Sequence, residues 1–331
     1  MTKPQLVCLD EDDLMHADEG APNYNESAYF NLYDPARRLG GFVRLGNRPN
    51  EGHAEMTLCL YLPDGRVAFM FKRPGIAAND AFDAGGMRFE VATPMREHRI
   101  TYRGSCLLLE RPLDLLDPRA AFGSNPYGKA ELQLSYEAVS PVHGGEPRVQ
   151  QDGRWVSADL EKKGQEFAKG HLEQHGRARG TVTVDGTSWD VDGFGLRDRS
   201  WGPRYWPGPD HYRWLTMNFG GEAGIAAALT VQRDGRRMQG GYLFRPGTES
   251  ARITCVEVET ERAGDEGLHA AVHATLTTAD GATERVDGRV LAMVPLRNRR
   301  GGVTTRIAEG LTEWRWGDRV GYGWSEYLDH V

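Results

Sequence analysis

Apolar and polar residues alternate along most of the chain, the pattern of strands that bury one face. Residues 55–62 and 67–72 are two such runs, and the Asp64-Gly65 pair between them is typical of a tight hairpin turn. The same device, with an Asp-Gly pair between two runs, recurs at 181–184 and 188–191, at 227–232 and 238–244, and at 271–278 and 284–291. Such successive hairpins build antiparallel barrels or sandwiches and not parallel sheets, so the predicted fold class is all-β.

Few segments have the periodicity of a helix. We predict two: the short aromatic run 25–32 and the charged, amphipathic run 158–169. The stretch 140–153 is rich in glycine, proline and charge, which is typical of a domain boundary. We therefore expect an N-terminal β domain over residues 1–150 and a C-terminal β domain over 151–331.

Composition excludes several classes of protein. The 331 residues carry a formal net charge of −7, whereas a nucleic-acid partner requires a basic surface. There is no apolar run long enough for a membrane helix and no pattern of a secretory signal, so we expect a cytoplasmic protein without a membrane span. The four cysteines, Cys8, Cys59, Cys106 and Cys255, are far apart, so we expect reduced, buried thiols.

The familiar cofactor motifs are missing from the sequence. There is no Gly-x-Ser-x-Gly elbow, no phosphate loop and no paired-cysteine metal box. Gly193-Phe194-Gly195 lacks the third glycine and the following helix of a dinucleotide fingerprint. We therefore expect no cofactor and no metal.

Residues 195–204 bring many ionisable and aromatic side chains together. The run contains three arginines, one aspartate and one tryptophan, with Gly195, Gly202 and Pro203 as helix breakers. More aromatic and ionisable residues follow within ten positions of the run. Rings and charges together are typical of a small-molecule pocket. The candidate substrate-binding residues are Trp201, Arg204, Trp206, Tyr212, Trp214 and Glu326.

Asp198 lies between Arg197 and Arg199, and two interpretations stay open. The three side chains could form an ion-pair network that holds a corner of the fold, or they could line a pocket and anchor a ligand oxygen. Nearby cations lower the pKa of a carboxylate, so we expect Asp198 to orient a partner and not to donate a proton.

On a strand, His171, Glu173 and His175 would share one face, by two-residue alternation. If that face lines a barrel interior, they form an acid/base cluster; the alternative is a polar outer face. A zinc-protease helix does not fit, because Leu172 stands where that motif has glutamate. The candidate catalytic residues are His171, Glu173, Asp198 and His211.

The C-terminal run 321–327 predicts a closing strand, with Glu326 as a candidate interior carboxylate. Together with the Gly-x-Arg-Asp-x-Ser-Trp-Gly-x-Arg motif at 195–204, the Asn25-Glu26-Ser27 run and the His171–Gln174 segment, it resembles a bacterial branch of the tandem lipocalin-like (calycin) superfamily. That superfamily includes carotenoid hydratases, kievitone hydratase and tocopherol cyclase-like proteins.

The resemblance covers nearly the whole chain and implies two lipocalin-like β-barrels packed side by side, with apolar ligands such as isoprenoids or polyketides. It carries over no catalytic residue. Our hypothesis is a cofactor-independent lyase that hydrates, dehydrates or cyclises a hydrophobic substrate at a carbon-carbon double bond, in a dry pocket supplied by a barrel. The alternatives are a non-catalytic carrier of a hydrophobic small molecule and a biosynthetic isomerase or pericyclic cyclase. A homodimer is also allowed.

Overall fold

The computed structural model describes residues 3–18, 20–158, 168–205, 209–300 and 302–330. The strands are β1 Gln5–Val7, β2 Tyr24–Asp34, β3 Leu39–Arg48, β4 His53–Tyr61, β5 Val67–Lys72, β6 Phe82–Ala84, β7 Met87–Thr93, β8 Glu97–Leu109, β9 Tyr127–Ala138, β10 His143–Gln151, β11 Arg154–Ser157, β12 Gly170–Val184, β13 Thr187–Pro203, β14 Pro209–Asn218, β15 Gly224–Gln232, β16 Arg237–Phe244, β17 Ala251–Ala263, β18 Leu268–Thr278, β19 Thr283–Arg300, β20 Val303–Trp316 and β21 Arg319–His330. The helical elements are α1 Pro118–Ser124 and short 3-10 turns at Asp10–Asp13, Pro49–Glu51 and Pro112–Leu116. The predicted all-β fold is confirmed.

Eight strands of the first sheet pair in a ring of antiparallel neighbours. The order around the ring is β2, β3, β4, β5, β8, β9, β12 and β13, and β13 pairs back onto β2. Strands β7 and β6 continue outward from β8, and β10, with β1 and β11, continues from β12. We call this ring with its extensions the first barrel.

The second barrel is closed by β14 to β21 in sequence order. The predicted closing strand at 321–327 lies within β21, which pairs with both β20 and β14. Closure of each ring satisfies backbone groups that an open sheet edge would leave unpaired. None of the helices in the described part of the chain has the length and apolar character that crossing a membrane requires.

The predicted hairpins are confirmed. They are β4 with β5, β12 with β13, β15 with β16, and β18 with β19. The turn glycines Gly65, Gly186, Gly235 and Gly281 have φ between 80° and 90°, a conformation that side chains with a Cβ rarely adopt. The four cysteines are free, as expected, although Cys8 and Cys255 are only partly buried.

The predicted helix at 25–32 is wrong, because these residues belong to strand β2. Every residue of β2 is buried, with one face inside the first barrel and the other against the second barrel. A strand buried on both faces lacks the simple alternation that identifies a half-buried strand. The other predicted helix, 158–169, falls mostly outside the described residues.

Strand pairing changes from one barrel to the other between Pro203 and Pro209. Residues 170–203 form β12 and β13, which pair only within the first sheet. The predicted β domains over residues 1–150 and 151–331 are a statement about which parts of the chain fold independently. That division stays a prediction.

The outer walls of the two barrels meet in an apolar core, which we call the inter-barrel interface. Tyr29, Phe42 and Tyr61 enter it from the first barrel, and Leu311 and Trp324 enter it from the second. The Tyr61 hydroxyl crosses the interface and donates to the carbonyl oxygen of Glu309 at 2.8 Å. Aromatic side chains bury about 150–250 Å² each, so these rings hold the barrels together.

Side chains fill the first barrel. The void between Phe30, Val43 and Leu134 measures only about 10 Å³, which is barely room for one water molecule. This interior is a packed core, and the expectation that the barrel itself supplies a binding pocket is not met there.

Candidate functional site

Strand β13 carries different polar side chains on its two faces. Arg197, Arg199 and Trp201 point into the first barrel, whereas Asp198 and Ser200 point toward the second. The motif at 195–204 therefore supplies two separate sites.

The inward arginines belong to a buried ion-pair network. Nη1 of Arg197 donates to Oδ1 of Asp13 at 2.8 Å, and Nη2 of Arg199 donates to Oε1 of Glu26 at 2.7 Å. Although burial opposes it, hydrogen bonding to His98 and the charge of Arg197 hold the pKa of Asp13 well below its ordinary value. This network ties the N-terminal turn to the first barrel. The arginines thus form ion pairs, but with Asp13 and Glu26 and not with Asp198, which the ion-pair interpretation places in the network.

Trp201 also lies on the inward side. Its ring is 2% exposed and stacks on the imidazole of His16, with the centroids 4.1 Å apart. Its indole N–H donates to Oε2 of Glu146 at 3.4 Å. These contacts keep Trp201 apart from Asp198, on the other side of the barrel wall.

The outward face of β13 joins a group of side chains at one part of the inter-barrel interface. We call this group the polar interface cluster. Glu173 faces Asp198 across β12 and β13, and Trp214 faces Glu326 across β14 and β21. The Trp214 indole N–H donates to Oε1 of Glu173 at 2.7 Å and so joins the two barrels. The members of the cluster are His171, Glu173, Asp198, Arg204, Tyr212, Trp214 and Glu326.

His171 and Asp198 form a hydrogen-bonded pair within this cluster. Nε2 of His171 bonds Oδ2 of Asp198 and lies 3.8 Å from Oε1 of Glu173. Burial lowers the pKa of His171, but the charge and hydrogen bond of Asp198 and the charge of Glu173 outweigh it and raise the pKa to about 9. The imidazole is therefore cationic at neutral pH, and Asp198 is the group that orients it.

Glu326 and Glu309 form a pair of carboxyl groups. They face each other across β20 and β21, and the Tyr212 hydroxyl donates to Oε1 of Glu326. Burial raises the pKa of both carboxyl groups, and the Glu326 charge raises that of Glu309 further. Two carboxyl groups side by side cannot both ionise easily, so the pair gives up its second proton at a higher pH than an isolated carboxyl group does.

Glu173 is the third carboxyl group of the cluster. Burial raises its pKa, although the charge of His171 and the hydrogen bond from Trp214 oppose this effect. His171 is half exposed, with 49% of its side chain accessible, whereas Glu173 retains 12%. The cluster is thus open to solvent at His171, and we call this open side, with the side chains around it, the cleft.

Three predicted site residues are not brought into the cluster by the described structure. Trp201 is on the inward face, as stated above. His211 alternates with Tyr212 along β14, points away from the first barrel, and bonds its neighbour Asp210 at 2.9 Å. Trp206 lies outside the described residues. Catalytic or binding roles for these three stay predictions.

His171, Glu173 and Asp198 also have metal-binding atom types. One ligand atom from each lies within 4.8 Å of the others, close enough for one cation to reach all three. In this arrangement Nε2 of His171 is instead hydrogen-bonded to Asp198.

Glu326, expected inside a barrel, lies on the outer wall of the second barrel.

A larger cavity opens at another part of the inter-barrel interface. It measures about 500 Å³, within the usual range for small-molecule pockets. Tyr33 and Tyr61 line it from the first barrel, and Leu311 and Tyr322 line it from the second. Tyr61 therefore touches both this cavity and the backbone of Glu309, to whose carbonyl oxygen its hydroxyl donates.

Sequence reasoning missed Glu309, Tyr29 and Arg44, which all contribute to the cleft. Glu309 stands within the apolar run Ile307 to Leu311, and a carboxylate in such a run is a usable signal. Tyr29 and Arg44 face each other across β2 and β3 beside Asp198, a proximity that only strand register reveals.

Two antiparallel barrels that meet along their outer walls form a lipocalin-like arrangement. An AttH-like protein of Nitrosomonas europaea has this fold, with a TM-score of 0.57 at 15% identity over 98% of this chain and 96% of that one. CghA, crystallised with Sch210972, gives 0.55 at 14% identity over 99% and 94%. Kievitone hydratase of Nectria haematococca gives 0.51 at 9% over 98% and 96%.

Within that class, the chain belongs to the family described as Domain of unknown function (DUF7064), whose model matches residues 9–331. No curated protein matches the chain in sequence. At these low identities the structural neighbours establish the shared fold.

Proposed function

We propose that this protein is a cofactor-independent lyase or cyclase that acts on a carbon-carbon double bond of a hydrophobic, isoprenoid or polyketide-like substrate. The observation that carries the proposal is the facing Glu326–Glu309 carboxyl pair beside Trp214, in one cluster with the His171–Asp198 pair. Acid catalysis at a double bond needs a proton donor in a dry site beside aromatic surface. Hydration is also what the name of kievitone hydratase, a protein of the same fold, describes.

In the proposed reaction Glu326 donates the proton. Burial raises the pKa of Glu326, although its hydrogen bonds with Tyr212 and Glu309 oppose this effect, and a raised pKa favours the protonated carboxyl group. Glu309 faces Glu326 across β20 and β21, and burial and the Glu326 charge raise its pKa well above the ordinary value, so the two groups share the proton. The proton forms a new C–H bond as the double-bond electrons leave the second carbon. The rings of Trp214 and Tyr29, whose centroids are 5.5 Å apart, are placed to stabilise the positive charge that develops.

Glu173 is the proposed base. A raised pKa makes its carboxylate a stronger base than an ordinary one. In hydration, water bonds to the cationic carbon and gives one proton to Glu173; exchange with solvent then returns a proton to Glu326. Dehydration runs the same steps in reverse. In cyclisation a second double bond replaces water as the nucleophile, and Glu173 removes the final proton.

The test is a panel of isoprenoid and polyketide alkenes, incubated in deuterated water and analysed by mass spectrometry. The proposal expects addition of water or an isomeric ring, each with deuterium on carbon, or loss of water from an alcohol, which adds no deuterium. Binding without conversion would instead favour a carrier. An isomeric ring without deuterium would favour a pericyclic cyclase. Dialysis against EDTA before the assay should leave turnover unchanged.

The acid assignment has its own test. Glu326→Gln should lower turnover by about 10²- to 10⁴-fold, because the amide cannot donate the proton. Glu284→Gln is the matched control, since Glu284 also accepts from an aromatic donor, Nε1 of Trp316 at 2.8 Å, but lies apart from the cluster. Full activity of Glu326→Gln would reject Glu326 as the donor.

A further inference from the structure

Three arginines lie at the end of the cleft next to His171, and the proposed reaction does not use them. Arg44 and Arg48 share the interface face of β3, and Arg204 follows β13. The Arg204 guanidinium donates through Nη2 to Oγ of Ser200. We call Arg44, Arg48 and Arg204 the arginine cluster.

Strand register brings these guanidinium groups close together. Ser200 faces Ser27 across β13 and β2, with their hydroxyl oxygens 2.9 Å apart, and Ser27 faces Gly46 across β2 and β3. Adjacent strands are about 4.7–4.9 Å apart, so Ser200 and Gly46 are separated by about 10 Å. The guanidinium of Arg44 lies over Gly46, where its nitrogens are 2.8 and 2.9 Å from the position of a Cβ.

Some N–H groups of Arg44 and Arg48 have no hydrogen-bond acceptor in the described part of the chain. Nη2 of Arg48 and Nη2 of Arg44 are buried without a hydrogen-bond partner among the described residues, and Nε of Arg48 has only a 3.4 Å ion-pair contact with Oε1 of Glu55. Arg48 is 1% exposed, and a buried, unsatisfied donor on a charged group is costly unless something accepts from it.

The surrounding carboxylates engage the cluster incompletely. Nη1 of Arg48 lies 2.9 Å from Glu51, but Nη1 of Arg44 lies 3.6 Å from Glu55, beyond hydrogen-bond distance. Burial and the neighbouring Arg44 charge lower the pKa of Arg204 to about 10, so it still carries its charge at neutral pH. Because 19% of the Arg44 side chain is exposed, a ligand can approach the cluster from the cleft.

We propose that the arginine cluster binds an anionic oxygen group, a carboxylate or a phosphate, on the otherwise apolar substrate. Guanidinium groups pair with such oxygens in a bidentate manner, and one of the Ser27 and Ser200 hydroxyls, the one that does not donate to the other, adds a neutral donor. Arg44, Tyr29 and Asp198 lie in one cross-strand row, so the anionic group would lie beside the reacting carbons. That the anion is part of a substrate rests on the proposed function, whereas the binding of an anion at these arginines does not depend on it.

The experiment is a binding titration by calorimetry with three probes: decanoate, decanol and inorganic pyrophosphate. Decanoate should bind about tenfold or more tightly than decanol, since one hydrogen-bonded charge pair contributes about that much. Arg44→Met should abolish the difference, and Arg44→Lys should retain part of it. Arg177→Met is the control, because Arg177 pairs with Asp192 on the exposed surface of the first barrel.

Pyrophosphate separates the two sources of the anionic group. If it competes with decanoate, the site accepts phosphate; if it does not, the site is selective for carboxylate. Equal binding of decanoate and decanol, or a difference that survives Arg44→Met, would overturn the proposal. Thermal melting checks that each variant is folded, and should Arg44→Met unfold, the Arg44→Lys titration decides. No turnover is required, so the result does not depend on the catalytic proposal.

Discussion

Arg197 and Asp198 are neighbours in sequence, yet they lie on opposite sides of the wall of the first barrel. The inward side of β13 places arginines against N-terminal carboxylates in a buried network that pairs the guanidinium groups of Arg197 and Arg199. The outward side places Asp198 in a cleft with an imidazole, carboxyl groups of raised pKa and partly exposed rings. Paired buried charges are typical of a structural network, whereas shifted pKa values in a cleft are typical of a functional site.

The largest expected effect is a loss of turnover when the outward face of β13 is changed. Asp198→Asn should lower turnover by about 10²-fold, because the His171 imidazole loses the carboxylate that holds it in place and charges it, and the His171 charge acts on the pKa of Glu173, the proposed base. The free energy of unfolding should change little, since Asp198 is partly exposed. Steady-state kinetics and urea unfolding of the same preparation measure both quantities.

The control for that variant is Asp287→Asn. Asp287 bonds Nδ1 of His273 at 2.6 Å in an exposed His–Asp pair on the second barrel. It should retain full turnover. Equal loss in both variants would mean that the outward face of β13 has no special role.

The inward face should affect stability instead. Arg197→Met should cost about 3–5 kcal/mol in the free energy of unfolding, because it leaves the Asp13 carboxylate buried without its ion-pair partner. Turnover per folded molecule should be preserved. Urea denaturation gives the stability.

An exposed pair provides the comparison for Arg197. Arg179 lies 3.5 Å from Glu137, with both side chains about half exposed, so Arg179→Met should cost less than about 1 kcal/mol. An Arg197→Met protein that is stable but inactive would contradict the division between the faces.

Trp201 should give a smaller effect of the same kind. Trp201→Phe removes the hydrogen bond to Glu146 and part of the stacking on His16, which should cost about 1–3 kcal/mol of stability. Thermal melting measures the loss, and ligand binding should be unchanged. Weaker binding in this variant at unchanged stability would show that the ring contacts the ligand after all.

We expect the Glu309–Glu326 pair to make the free energy of unfolding depend weakly on pH. Because the folded state raises the pKa values of Glu309 and Glu326, it binds more protons than the unfolded state above their ordinary value of 4.5. Their contribution is present below that pH and is lost as pH rises through the raised values, by at most about 1.4 kcal/mol per pH unit for one proton. The free energy of unfolding, measured from about pH 5 to about pH 9, should fall less steeply with pH in Glu309→Gln than in the unchanged protein. An identical slope would contradict the shared proton.

The sequence was sufficient for those parts of the fold that depend on neighbouring residues. Asp-Gly turns between alternating runs predict the four hairpins, because turn geometry sets their register. Strand β2 was assigned as a helix because both of its faces are buried, one by each barrel. That arrangement depends on a partner barrel almost two hundred residues away, which local periodicity does not encode.

The candidate site was predictable in part for the same reason. Alternation places His171 with Glu173, and Arg197 apart from Asp198, but it does not say which face meets the second barrel. The residues completing the cleft, such as Arg44 and Glu309, come from strands distant in sequence. Their proximity follows from the register of β3 and from the packing of the two barrels.

The most direct test of the division between the faces is fluorine NMR of protein labelled with 5-fluorotryptophan. Resonances of Trp201 and Trp214 are assigned with Trp201→Phe and Trp214→Phe, and farnesol is then titrated into the labelled protein. The account predicts that the Trp214 resonance shifts with saturation while the Trp201 resonance stays in place. A shift of Trp201 with Trp214 unchanged would contradict it, because the ligand would then occupy the inward side of the barrel wall.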